Sequence, residues 1–283
     1  MNPLRALNDA LQRTTGLRVT SPAAVPPPAE PRPPRGPEDR LVTAPVFLIS
    51  SVRSGSTLLR AVLDSHSQVC APIELHQRRL HVTMSTPPAE QAMTALDLNS
   101  ADLEHLLWDR LLHRELQRSS KRIVVEKTPS NVFAMGRLTT CWPDARFVFL
   151  LRHPLSAARS WHESKPAERP MPAAIEHVGR YTRAVESARK RHPGHSLRYE
   201  DLVADPETET RRLCEFLGVP WEESMLDYAA VEGGREGEFV KGIGDWSDKI
   251  RSGRIQEGRP LPAADEVPPA LRAVAGAWGY PVP

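Results

Sequence analysis

Short apolar runs rich in β-branched and aromatic residues recur along this chain, and stretches with helical periodicity separate them. The runs "VFLIS" (46–50), "RIVVEK" (122–127), "RFVFLLR" (146–152) and "HSLRYED" (195–201) read as strands. After the first run, Leu58, Leu59, Val62, Leu63 and His66 mark one face of a helix. Leu103, Leu106, Leu107, Leu111 and Leu112 mark the face of another. Further helices are predicted after Asn131, from Pro154 to about Ser164, and over 173–191. A last one has Asp205 as N-cap, Pro206 in the first turn, Leu213, Phe216 and Leu217 on its apolar face, and Gly218 as its stop. Strands alternating with helices restrict the chain to an α/β fold around a mostly parallel sheet.

The start of the chain is different. Residues 22–37, "PAAVPPPAEPRPPRGP", cannot continue a helix or a ladder and read as extended, solvated chain. Three regions follow: a short amphipathic segment (1–20) with Leu4, Leu7 and Leu11 at helical spacing, a flexible proline-rich linker (21–40), and one domain (41–283). The first segment is either a docking peptide or a weakly ordered tail. It lacks the apolar core of a signal peptide, and no stretch of about 20 apolar residues exists to span a bilayer. The formal net charge of +2 gives no broad electrostatic footprint for nucleic acid. Cys70, Cys141 and Cys214 are scattered and odd in number, which fits a reducing cytoplasm better than a disulfide framework. The glycine-rich stretch 233–258 reads as a long surface loop.

Ligands of open parallel sheets bind at the carboxyl ends of strands, against helix N-termini. Arg53-Ser54-Gly55-Ser56-Thr57 falls at such a place. Gly55 lets the backbone approach an anion, Ser54, Ser56 and Thr57 add hydroxyls, and Arg53 adds a planar cationic fork. A plain strand–turn–helix with a serine cap is the competing description. The loop lacks the Lys-Ser/Thr ending of the common nucleotide-binding loop, which serves the β/γ-phosphates and Mg²⁺.

"SVRSGSTLLRAVLDSH" resembles the 5′-phosphosulfate loop of sulfotransferases that use 3′-phosphoadenosine 5′-phosphosulfate (PAPS). Three further stretches are similar to that family in the same order. In "FLLRHPLSAARS", Arg152 and Ser160 stand at the spacing of the family's 3′-phosphate pair. "LRYEDL" resembles a stretch whose tyrosine, here Tyr199, lies by the adenine. "FVKGIGDWSDKIRSGR" is similar to a shortened C-terminal segment that closes over the 3′-phosphate, which makes Lys241 a ligand candidate. The resemblance spans about residues 45–255 and implies a three-layer α/β/α, P-loop-like sulfotransferase fold, with PAPS as donor and no metal. It departs from the cytosolic branch at Leu58, where that branch has an adenine-stacking tryptophan.

Lys127, at the end of the second run, matches the family's strand-end lysine, which stabilises the leaving phosphate. A solvated lysine paired with Glu126 is the alternative. The cytosolic branch has its basic histidine two residues later, where this chain has Pro129. The stretch from the loop to "APIELHQRRL" aligns without a gap with tyrosylprotein sulfotransferases, whose catalytic glutamate falls on Glu74. Partial burial after "VCAPI" is expected to raise its pKa towards useful basicity. His76 is the rival base. The tyrosylprotein branch has arginine there, which argues against a peptide acceptor. Arg180, Arg183, Arg189, Lys190 and Arg191 read as the solvated face of a helix. His81, His105 and His113 have no partner at metal-ligand spacing, and Trp161 and His162 are either pocket-lining or core residues.

The expectation is therefore a sulfotransferase acting on a hydroxyl of a small-molecule, glycan or lipid-like acceptor. A nucleotide-dependent P-loop phosphotransferase and a noncatalytic adenosine-bisphosphate module are the rivals. Loops 75–100, 164–175 and 228–260 are expected to shape the acceptor pocket.

Overall fold

Five parallel strands form the centre of the molecule, in the order β2-β3-β1-β4-β5. The structure, a computed structural model, describes residues 30–228 and 253–283, together with Leu11 and Thr14. The chain divides into two units, Met1–Glu30 and Pro31–Pro283, and the sheet with all its helices lies in the second. Most of the N-terminal segment, residues 21–29 of the linker, most of the 233–258 loop, and Lys241 lie outside the described residues.

In chain order, β1 (Val46–Ser50) leads to α1 (Ser56–Asp64) and the two-residue β2 (Val69–Cys70). Helices α2 (Pro87–Ala95) and α3 (Ser100–Ser119) precede β3 (Ile123–Glu126), and α4 (Met135–Cys141) precedes β4 (Arg146–Leu151). Then come α5 (Pro154–Glu163), α6 (Met171–Arg191), β5 (His195–Arg198), α7 (Tyr199–Ala204), α8 (Pro206–Leu217) and, near the C-terminus, α9 (Pro269–Ala277). β1 pairs β3 on one side and β4 on the other, with Val46 opposite Arg146 and Ser50 opposite Leu150.

The alternation of side chains along each strand divides the core in two. Phe47 and Ile49 of β1, with Phe147 and Phe149 of β4, pack under Trp108 and Leu112 of α3, Val185 of α6 and Leu271 of α9. Val46, Leu48, Val148 and Leu150 face the other way, onto Leu59 and Val62 of α1, Leu202 of α7 and Leu213 of α8. Burying each such side chain contributes about 1.5–3 kcal/mol. The three-layer α/β/α arrangement expected from the sequence is the one observed, with every strand pairing parallel.

Asp205 caps α8 by accepting from the Thr208 amide at 3.2 Å, and Gly218 ends the helix at φ 72°. Three readings need correction. The last strand stops at Arg198, because residues from Tyr199 onward already turn into α7. The sheet gains β2, too short to show a period in sequence. The core face of α3 is not its leucine stripe: Leu106 and Leu107 are exposed, whereas Glu104, His105 and Asp109 are buried beside Trp108 and Leu112. These polar side chains are buried with partners, which offsets their desolvation. Asp109 accepts from the amides of Leu41 (2.6 Å) and Val42 (3.1 Å), Arg137 donates to Glu104 (2.6 Å), and His105 Nε2 meets Cys141 Sγ at 2.6 Å. Burial pulls the His105 imidazole down to about 3, so it is neutral. The end of the proline-rich stretch is held to the same helix, where Arg32 Nε donates to Asp102 Oδ2 at 3.1 Å.

The order of strands reverses direction at β1. From there the chain runs first to β2 and β3 on one side and later to β4 and β5 on the other. The crevice at the carboxyl ends of β1 and β4 is the switch point where ligands of such sheets bind.

Candidate active site

The loop leaving β1 crosses this switch point with an unusual backbone. Arg53 has φ 58° and Gly55 φ 87°, both left-handed. For a non-glycine residue that conformation costs on the order of 1–2 kcal/mol. Among the described residues four non-glycine residues have positive φ, and two of them, Arg53 and His76, are predicted site residues. Gly55 has a second constraint: a Cβ there would lie 2.3 Å from Tyr199 Cδ2, so the tyrosine ring packs directly on the loop backbone. Ser54 is buried and donates to the Ser51 carbonyl at 2.7 Å, and Ser56 and Thr57, also buried, open α1. The first-turn amides and positive dipole end of α1 are thus delivered to the crevice.

Arg152 follows β4 and Ser160 lies on α5. Arg152 Nη1 donates to the Arg53 carbonyl at 2.8 Å, and Arg53 Nε donates to Ser160 Oγ at 3.1 Å. The guanidinium of Arg152 stands 4.4 Å from the Tyr199 ring centre. Its Nε is buried and has no hydrogen-bond partner. Burial holds the Arg152 pKa below its ordinary value, against the pull of Tyr199 and Glu200. The structure therefore brings Arg53, Arg152, Ser160 and Tyr199 together. A cavity of about 470 Å³ opens beside Arg152 and Tyr199, walled also by Glu200, Val203, Gly258 and Arg259. Gly258 and Arg259 belong to the 228–260 stretch expected to shape a pocket, whereas Glu200 and Val203 of α7 were not singled out by the sequence.

The second cluster lies at the end of β3, next to β1. Lys127 is 1% exposed, donates to Thr57 Oγ1 at 3.3 Å, and forms an ion pair with Glu74. The solvated lysine paired with Glu126 is not what forms. Glu126 instead receives hydrogen bonds from Thr128 (2.6 Å) and Asn131, and burial raises its pKa. Thr128 in turn accepts from the His76 amide at 3.3 Å, which joins the strand end to the loop carrying Glu74. The sequence did not single out Thr128, and it named Glu126 only as a partner for Lys127.

Glu74 sits between the Lys127 ammonium and the His76 imidazole, whose Nε2 is 3.3 Å from its Oε2. The expected rise in its pKa does not occur. Burial pushes the carboxyl up, but the His76 hydrogen bond and the Lys127 ammonium outweigh it and hold it below the ordinary value. The hydrogen bond to Glu74 raises the His76 imidazole. Desolvation lowers Lys127 against the stabilising charge of Glu74. Glu74 is thus an ionised carboxylate at neutral pH, with only about a tenth of its side chain exposed.

A model of the sulfotransferase family matches residues 45–223, well over half of the chain, and the chain belongs to that family. It is 25% identical over 229 residues to protein-tyrosine sulfotransferase 1 of Danio rerio, covering 73% of this chain and 62% of the relative. It is 26% identical over 222 residues to the nodulation protein NoeE of Sinorhizobium fredii, covering 66% of this chain and 52% of the relative. Each of these matches spans less than two thirds of the relative's length. The sulfotransferase domain from the curacin biosynthetic pathway shares the fold, with a TM-score of 0.59 at 22% identity over 86% of this chain and 99% of that one. Among the described residues no helix is long and apolar enough to cross a membrane.

Proposed function

We propose that this chain transfers a sulfuryl group from PAPS to a hydroxyl of a small-molecule, glycan or lipid-like acceptor. The observation that carries the proposal is the buried Lys127, which links Thr57 of the anion loop to Glu74. A module that only bound adenosine bisphosphate would have no use for a buried lysine–glutamate pair at the loop. The residues fit the donor. Arg152 carries an unpartnered buried Nε, and Gly55 admits close backbone approach. Arg53, Arg152 and Ser160 would hold the 3′-phosphate, Tyr199 would flank the adenine, and Ser54 to Thr57 would hold the 5′ end. PAPS supplies an activated sulfuryl group on a phosphosulfate anhydride.

The chain's own groups do the rest. Glu74 accepts the proton of the acceptor hydroxyl at a carboxylate oxygen. His76, whose pKa is raised by Glu74, is the stronger base of the two and is the rival for this role. Lys127 and the α1 amides neutralise the negative charge that develops on the leaving phosphate. A carboxylate with a lowered pKa is a weak base, so its proton transfer comes late, once the new bond to sulfur has acidified the acceptor oxygen. Similarity to a protein-tyrosine sulfotransferase supports a phenolic or alcoholic oxygen as the acceptor, and His76 in place of arginine disfavours a peptide.

Calorimetry with adenosine 3′,5′-bisphosphate tests the donor site. Binding is expected without added Mg²⁺, and Arg152→Ala is expected to weaken it by about 1.5–3 kcal/mol, the loss of a charge-assisted contact. Undiminished affinity in Arg152→Ala, or a strict need for metal, would remove the assignment.

A further inference from the structure

Aromatic rings and guanidiniums gather at segments close in sequence to His76 and Lys127. The 3₁₀ turn Gln77–Arg79 follows directly on His76, and the 3₁₀ stretch Pro129–Ala134 follows Lys127 and Thr128. Arg78 Cζ lies 5.9 Å from the Phe133 ring centre. Arg180, from α6, lies 5.1 Å from the same ring and 5.7 Å from that of Tyr181. The two rings meet edge to face with their centres 4.7 Å apart, and Leu75, next to Glu74, packs in the same cluster.

The helix face expected to be uniformly solvated is therefore divided. Arg189 and Lys190 pair with Glu186, and Arg191 bonds Ser187, as solvated helix charges do. Arg180 instead lies over the rings beside the site. Among the described residues no carboxylate pairs with Arg78, Arg79 or Arg180, although the chain has 35 acids. Burial raises the Tyr181 hydroxyl pKa, while Arg180, Arg78 and Arg79 lower it and Glu74 raises it. The Glu74 charge is already offset by Lys127. An acceptor entering here thus meets guanidiniums in excess. Their planar forks match carboxylate and phosphate oxygens, and the rings offer a flat apolar face.

Resting on the sulfotransferase reading above, we propose that Arg78 and Arg180, with Phe133 and Tyr181, select acceptors that carry an anionic group besides the hydroxyl to be sulfated. A neutral acceptor would gain nothing from two guanidiniums that lie over the rings with no carboxylate partner among the described residues.

The test is binding of two matched probes, 4-hydroxyphenylacetate and 4-hydroxyphenylacetamide, by calorimetry with the full chain saturated with adenosine 3′,5′-bisphosphate. The acetate is expected to bind about tenfold tighter or more, the size of one charge-assisted contact. That preference should vanish in the double variant Arg78→Gln/Arg180→Gln and persist in Arg183→Gln, which changes an arginine outside the cluster. Equal affinity for the two probes, no detectable binding of the acetate, or a preference that survives the double variant would overturn the inference. Because binding is read without turnover, an intact preference in a chain that transfers no sulfuryl group would count against the sulfotransferase reading and not against anion selection.

Discussion

Glu74→Gln is expected to lower kcat by about 10²–10⁴-fold, the range for removing a positioned general base, and to leave the affinity for adenosine 3′,5′-bisphosphate intact. Glutamine keeps the shape of the side chain and can still meet His76, but it cannot take a proton. The loss should fall on kcat because the proton moves only in the chemical step. The size of the loss should depend on the acceptor. A strongly acidic phenol reaches the site already ionised and needs no base, so its turnover should fall far less. His76→Gln is the control, because it removes the imidazole 3.3 Å from Glu74 and leaves the carboxylate and Lys127 in place. It should retain most activity. A dead His76 variant beside a Glu74→Gln variant near wild type would reverse the two roles.

Lys127→Met is expected to lower kcat by about 10²–10³-fold, the effect of losing one preorganised donor to a developing charge. Methionine preserves length and apolar packing in a position that is 1% exposed, so the loss is one of charge. The variant should also change the pH profile. In the wild type, the acid limb of kcat/KM is expected to follow Glu74 and to lie below the ordinary carboxylate range, because His76 and Lys127 outweigh burial. The alkaline limb is expected to follow Lys127 and to lie below the ordinary lysine range, because burial disfavours its charge. Without Lys127, burial acts on Glu74 against less opposition. The acid limb should therefore move to higher pH and the alkaline limb should disappear. The linked effect on stability follows the same sign. A carboxyl whose folded-state pKa is depressed contributes stability that is present at neutral pH and is lost as pH falls through the folded value. A Lys127→Met profile with both limbs unmoved would show that this pair does not control the reaction.

The parts of this site that are local in sequence were legible before the fold was known. A strand, a small-residue loop and an amphipathic helix announce an anion cradle, and Arg152 with Ser160 sits one strand end and two helical turns away. Long-range pairings were not legible. Lys127 and Glu74 are far apart in the chain, and nothing in either segment says that the lysine would leave its neighbour Glu126 for Glu74. That choice follows from β3 lying beside β1 and from Thr128 and Asn131 occupying Glu126. The pKa direction of Glu74 was misjudged for the same reason, since burial was visible in sequence and the ion pair with Lys127 was not. The face of α3 was misread because leucines mark a core only where no polar network competes. Here Arg137 and the backbone of Leu41 and Val42 draw Glu104 and Asp109 inward and turn Leu106 and Leu107 out. The C-terminal α9 went unread although Pro269 opens it and Leu271, Val274 and Ala275 fill its buried face.

The most direct measurement of the central claim is transfer itself. The chain is incubated with PAPS carrying a radiolabelled sulfuryl group and a panel of phenols and alcohols that includes 4-hydroxyphenylacetate, and labelled acceptor and adenosine 3′,5′-bisphosphate are quantified together. The account predicts sulfated acceptor and adenosine 3′,5′-bisphosphate in equal amounts, without added metal, with both reduced in parallel by Glu74→Gln and Lys127→Met. Tight binding of adenosine 3′,5′-bisphosphate with no label transferred to any hydroxyl, or transfer at the wild-type rate by both variants, would contradict it.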